Sequence, residues 1–186
     1  MVEGREQSMK VTIVAVVSVN GLITSDILGG PEIWASPEDL GQFNAMIGTS
    51  DAVVMGRKTF DTIQDGLHLR PKLLRIIMTL SPDTYSHMRA EGIVEFTDKK
   101  PTDILSDLRE RGLKSILIAG GSSIHSLFLQ KNLVTDLYLT VEPYIFGSGI
   151  PFLQAYPGVS KLKLMNIDRI NTQGSLLLHY QFLKNS

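Results

Sequence analysis

Three groups of residues have the types and spacing that chemistry needs. Met55-Gly56-Arg57-Lys58-Thr59-Phe60 sets two cations and a hydroxyl after an apolar run and ahead of a helical pattern. A helix start presents unbonded N–H groups and partial positive charge, and arginine grips phosphate through two parallel bonds. Such a stretch suits an anion; its plainer reading is a strand–helix turn with solvated charges. Ile118-Ala119-Gly120-Gly121-Ser122-Ser123-Ile124 puts two glycines between a strand and a helix. Backbone there can approach a ligand closely, and the helix start can receive a pyrophosphate; the alternative is a tight turn alone. Trp34, Asp39 and Phe43 form the third group, with Asp39 and Phe43 four apart and so on one helical face. If that face lines a cleft, desolvation raises the Asp39 pKa toward values useful for proton transfer. If it does not, Asp39 is a favourable acid in a first helical turn.

Composition removes other chemistries. The 186 residues include no cysteine, which excludes disulfide frameworks, thiolate metal sites and cysteine nucleophiles. His68, His87, His125 and His179 lie far apart without metal-ligand spacing, so no metal is expected. Neither a GxSxG elbow nor a Gly-Lys-Ser/Thr phosphate loop is present, and the glycine pair lacks the third glycine of GxGxxG. Eighteen Lys+Arg against 19 Asp+Glu leave a net charge of -1, with no basic footprint for nucleic acid. The longest apolar run near the start, Val11 to Val17, is far short of the ~20 residues a membrane span needs. Met1–Ser8 carries Glu3, Arg5 and Glu6, so it reads as a disordered leader rather than a signal peptide. A cytoplasmic protein is the expectation.

The elements that must position these groups alternate. With 43% hydrophobic residues, 9–186 reads as a single domain. Strands are expected at Lys10–Ser18, Asp51–Met55, Leu73–Leu80, Gly92–Phe96, Ser115–Ala119, Val134–Glu142, Lys161–Asp168 and Leu176–Leu183. Helices are expected after the Ser36-Pro37 start, with Leu40, Phe43, Ala45 and Ile47 packing inward, and over Lys58–Ile63, Pro101–Arg111 and Ser123–Gln130. Thr24–Pro31, with its two glycines, reads as a mobile loop. The order implies an α/β fold: a three-layer α/β/α sandwich on a mostly parallel sheet with an antiparallel C-terminal edge. Ligands of open α/β sheets bind past the carboxyl ends of the strands, where the basic and glycine stretches both fall.

Read together, these pieces resemble the dihydrofolate reductase superfamily. Trp34-Ala-Ser-Pro-Glu-Asp39-Leu-Gly-Gln-Phe43 and Val54-Met55-Gly56-Arg57-Lys58-Thr59-Phe60 look like dihydrofolate reductase. Ser18-Val-Asn-Gly21-Leu-Ile-Thr24, and the stretch from Gly112 through Gly120-Gly121 and Asp136 to Pro143-Tyr-Ile-Phe-Gly147, look more like the riboflavin-biosynthesis reductase, the RibD C-terminal type. The resemblance implies NADPH as cofactor. It implies that Gly56, Arg57, Lys58 and Thr59 hold its 2′-phosphate beside Leu80 and Ser81. Gly120, Gly121, Ser122, Ser123 and Ile124 would form the pyrophosphate turn, which in the family often has a cis Gly–Gly bond. Val16 would contact the nicotinamide amide, and Ile23 would lie in the loop covering the ring. Asp39 and Thr140 would be the catalytic acid and its hydrogen-bond partner, with Trp34, Phe43 and Thr140 meeting the substrate. That substrate would be a ribosylaminopyrimidine phosphate or, alternatively, dihydrofolate; a non-catalytic nucleotide-binding module is the third reading. The arginine that dihydrofolate reductases use for the folate tail has Leu73 at its place, with Lys72 and Arg75 nearby. The His-Arg pair of the riboflavin branch is absent after Asp39. The riboflavin-type domains commonly dimerise, so a homodimer is expected.

Overall fold

The computed structural model describes residues 9–64 and 72–183. The leader Met1–Ser8 and His68 lie outside them. β-Branched and aliphatic runs with buried side chains form the parallel strands β1 (Lys10–Ser18), β2 (Ala52–Gly56), β3 (Leu74–Met78), β4 (Val94–Thr97), β5 (Ser115–Gly120) and β6 (Asp136–Glu142). A C-terminal hairpin, β7 (Leu162–Arg169) and β8 (Leu176–Phe182), returns antiparallel onto β6. The sheet has eight strands in the order β4-β3-β2-β5-β1-β6-β8-β7. The mostly parallel sheet with an antiparallel edge is the architecture expected from the sequence.

Period two along the strands sorts side chains between the two faces. Val11, Ile13, Val54, Ile116 and Ile118 meet helices α4 (Pro101–Glu110) and α5 (Ser122–Gln130) on the first face, around the fully buried Phe128. Val53, Met55, Ile77 and Leu117 face the other way, toward α2 (Pro37–Gly48), α3 (Arg57–Ile63) and the 3₁₀ segment Pro82–Met88. Helices therefore cover both faces, which is what a parallel sheet apolar on both sides requires.

Helix α2 starts where expected. Ser36 caps it by accepting from the Asp39 N–H at 3.3 Å, and Pro37 occupies its first turn. Its packing face differs from the expected one. Phe43, Met46 and Ile47 meet the core, while Leu40 is 57% exposed and Ala45 points outward. The helix lies across the sheet so that positions 43, 46 and 47, at three-to-four spacing, form the contact stripe. A one-turn helix α1 (Pro31–Trp34) precedes it, and β3 ends at Met78 rather than Leu80.

The loop expected to be mobile is tied down instead. Ile23 N donates to Ile150 O at 2.8 Å, Ile150 N to Thr24 Oγ1 at 2.9 Å and Asp26 N to Ser148 O at 3.2 Å. A Cβ at Gly149, whose φ is +154°, would lie 2.0 Å from the Thr24 carbonyl oxygen, so this seam demands glycine.

Candidate active site

The carboxyl ends of β3, β2, β5, β1 and β6 stand side by side, and the candidate residues follow that order. Gly56 pairs with Met78, so Arg57, Lys58 and Thr59 emerge beside Leu80 and Ser81. Met55 pairs with Gly120, which brings the glycine turn next to the basic stretch. Val16 pairs with Thr140, on the sheet face that α2 covers.

At the first end, Arg57 pairs with Asp61 across one helical turn at 2.5 Å, and the Tyr85 hydroxyl donates to the other Asp61 oxygen at 3.3 Å. Tyr85 and Asp61 both hold Arg57 protonated above its ordinary range. Lys58 is exposed, and Leu80 stands 94% exposed two residues past the end of β3 with Ser81 beside it. Neither Asp61 nor Tyr85 was expected from the sequence, although helical spacing alone sets Asp61 within reach of Arg57.

The Gly120–Gly121 bond is cis, as the resemblance implies. A Cβ on Gly121 would sit 3.5 Å from the Thr59 hydroxyl, and one on Gly56 would meet Ile124 at 3.0 Å. The two turns are thus packed close enough that side chains would fill the cradle. Ser122 Oγ, at the start of α5, is buried without a protein partner. Ser123 is exposed and donates to Gln154 at 2.7 Å. Behind the turn lies His125, buried, with Nδ1–H donating to the Phe152 carbonyl at 3.3 Å and Nε2 unpartnered. Burial lowers its pKa to about 4. A Cβ at Gly120 would lie 3.2 Å from His125 Nε2, so the ring packs back against the glycine turn.

At the other end, Asp39 projects from the first turn of α2 toward β6. Burial pushes its pKa up, the Thr140 hydroxyl pulls it down, and the charge of Glu142 pushes it up again. Glu142 is 2% exposed. Its Oε1 accepts the Ser36 N–H at 2.9 Å, and its Oε2 accepts the Ser175 hydroxyl. Asn171 in the β7–β8 turn donates to Ser175 at 2.8 Å, so the hairpin braces the start of α2. Glu142 was not singled out in the sequence, although period two places it on the Thr140 face. Trp34 packs edge-on against Phe146 at 5.1 Å and Tyr144 at 6.3 Å, and its buried Nε1 has no protein partner. Phe43 packs into the apolar layer beneath α2, and Ile23 lies in the seam described above.

Gly56 and Gly121, which lack side chains, Thr59 and the buried, unpartnered Ser122 hydroxyl are the groups that would hold a dinucleotide's phosphates here. Among the described residues, no group of three or more His, Cys, Asp or Glu is placed to hold a metal, and no helix is long and apolar enough to cross a membrane.

An α/β/α sandwich of this kind, with its candidate site along the carboxyl edge, has the architecture of the dihydrofolate reductase superfamily. Within it, the chain belongs to the RibD C-terminal domain family, whose model matches residues 9–174. It is 24% identical over 176 residues to the uncharacterized protein YwjB of Bacillus subtilis, covering 92% of this chain and 97% of that one. The fold superposes on a putative riboflavin biosynthesis protein from Shewanella sp. PV-4 with TM-score 0.77 and 20% identity, covering 95% and 100% of the two chains. It also superposes on a diaminohydroxyphosphoribosylaminopyrimidine deaminase/5-amino-6-(5-phosphoribosylamino)uracil reductase from Thermotoga maritima, with TM-score 0.73 and 19% identity. There it covers 96% of this chain and 58% of the longer protein.

Proposed function

We propose that the protein is an NADPH-dependent reductase acting on a ribosylaminopyrimidine phosphate. The observation that carries this reading is the single row along the carboxyl edge, from Arg57 through the Gly120–Gly121 cradle to Val16, Thr140 and Asp39. Its order suits a dinucleotide with its phosphates at one end and its reacting ring beside a protonatable acid. The reduced nicotinamide, when bound, supplies hydride to the substrate carbon. Arg57, Lys58 and Thr59 hold the 2′-phosphate, and Gly120 to Ile124 hold the pyrophosphate. Val16 and Ile23 bound the ring's place and keep water from it, which such transfers require. Asp39, protonated more readily than an ordinary carboxyl, holds the proton that the reduced atom's neighbour needs, and Thr140 orients it.

Dihydrofolate is the second substrate reading, favoured by the Asp39–Thr140 bond. Against it stands the β3 strand: Arg75 is 5% exposed and donates to the Leu73 carbonyl at 3.4 Å, so it is not poised at the surface for a tail carboxylate. A homodimer belongs to the same proposal. Leu164, Met165 and Ile167 of β7 expose large apolar side chains on the outer strand of the sheet, a surface suited to a second copy. The test is binding of NADPH and NADH by calorimetry, followed by absorbance decay with each candidate substrate. Binding of NADPH with turnover of the pyrimidine alone is the expected result; turnover of dihydrofolate alone replaces the substrate assignment.

A further inference from the structure

We propose that Asp61, held by Tyr85, is a positioning residue that sets the preference for a 2′-phosphate by presenting Arg57 to it. The inference rests on the reading of the Arg57 stretch as the 2′-phosphate site. Arg57 opens α3 and Asp61 lies four residues on, so the two side chains share one helical face. Arg57 Nη1 donates to Asp61 Oδ2 at 2.5 Å. A guanidinium carries five N–H donors, so this contact leaves it able to grip a phosphate as well. An exposed ion pair by itself holds a side chain weakly. Asp61 has a second anchor: its Oδ1 accepts the Tyr85 hydroxyl at 3.3 Å.

The Tyr85 ring is itself clamped. It stacks on Phe96 with centroids 4.9 Å apart and planes 13° from parallel, and it meets Phe60 edge-on at 6.5 Å. Phe60, which is 2% exposed, closes the trio edge-on against Phe96 at 5.2 Å. Rotation of the Asp61 carboxylate would break its bond to this ring or its bond to the guanidinium. The side of α3 involved follows from the element that supplies the anchor. Tyr85 belongs to the segment Pro82–Met88, which begins directly after Ser81. Asp61 therefore lies on the side of α3 turned toward that segment and holds the guanidinium there. A free arginine loses rotamer entropy when it grips a phosphate; here the fold has already ordered the side chain. The charge of Asp61 opposes a phosphate. It acts across the guanidinium between side chains partly open to water, where screening weakens it, so placement is the larger effect.

The test is calorimetry of the full chain with adenosine 2′,5′-bisphosphate and adenosine 5′-phosphate, probes that differ only in the 2′-phosphate. The readout is the ratio of their affinities. Tyr85→Phe keeps every charge and the ring, and removes only the hydroxyl that holds Asp61. Asp61→Asn removes the charge that holds Arg57. The ratio is expected to fall by about 2–5-fold in Tyr85→Phe and about 3–10-fold in Asp61→Asn, through weaker binding of the bisphosphate alone. With Arg57→Ala already in place, Asp61→Asn is expected to lower the ratio no further. A ratio that stays level or rises in either single variant overturns the proposal, as does a further fall in the double variant. A merely structural role would weaken both probes together and leave the ratio level. A parent chain without preference for the bisphosphate overturns the 2′-phosphate reading itself. A parent with that preference and variants that keep it overturn the proposal alone.

Discussion

At Asp39, burial and the Glu142 charge outweigh the Thr140 bond, leaving a carboxyl that holds its proton more tightly than an ordinary one. Asp39→Asn is therefore expected to lower turnover by about 10²–10⁴-fold, the usual range for a lost general acid, while sparing NADPH affinity. The stability sign follows from the same direction of shift. The native chain binds this proton more tightly than the unfolded chain, so stability falls as pH rises from the ordinary carboxyl value through the native one. The Asn variant lacks that slope and should resist urea better than the parent at pH 7, with the difference closing at acid pH. Arg57→Ala should weaken NADPH by about 10–100-fold, as for a lost charge-assisted contact, and leave NADH nearly unchanged; calorimetry with both dinucleotides measures it. Asp39 and Arg57 are legible in the sequence because each sits at a helix start after a recognisable run. Glu142, Asp61 and His125 are less so. The first two follow from strand and helix periodicity only once a partner is named, and His125 matters through a turn that packs back onto it.

Strands and helices were legible almost throughout, since buried parallel strands are continuous apolar runs and α4 carries a clean stripe at Ile104, Leu105 and Leu108. The α2 stripe differs from the expected one at Leu40 and Ala45 because the helix's roll on the sheet is set by tertiary packing, not by its own pattern. The loop after β1 is hydrogen-bonded in place for a related reason. Glycines at 29 and 30 signal freedom, but the hydrogen bonds to residues 148–150 that restrain the loop come from a segment more than 120 residues away. Gly149→Ala tests this seam. Its Cβ would collide with the Thr24 carbonyl, so the two loops must part. Limited proteolysis should then cut within 22–30 faster than in the parent, at a stability cost of about 1–3 kcal/mol.

For the whole molecule, the near-neutral charge balance means that recognition rests on local groups: the Arg57 stretch, the glycine cradle and the carboxyl pair. The layer architecture was visible in the order of elements, while the place of β8 between β6 and β7 follows from the hairpin folding back rather than from any local signal. Acid stability is also a property of the whole fold. His125 is neutral when native, with its pKa lowered to about 4, whereas the unfolded chain protonates it near 6.5. The unfolded state thus binds more protons between those values, and stability is lost as pH falls through that window, by up to about 3 kcal/mol. His125→Asn keeps a donor for the Phe152 carbonyl and should flatten the fall in urea midpoint from pH 7 to pH 4.5. The central claim is tested most directly by following NADPH absorbance with the purified chain and 5-amino-6-(5-phosphoribosylamino)uracil, with dihydrofolate in parallel. The account predicts steady oxidation with the pyrimidine that Asp39→Asn slows by about 10²–10⁴-fold. Tight NADPH binding without oxidation by either substrate would contradict it and leave a nucleotide-binding module.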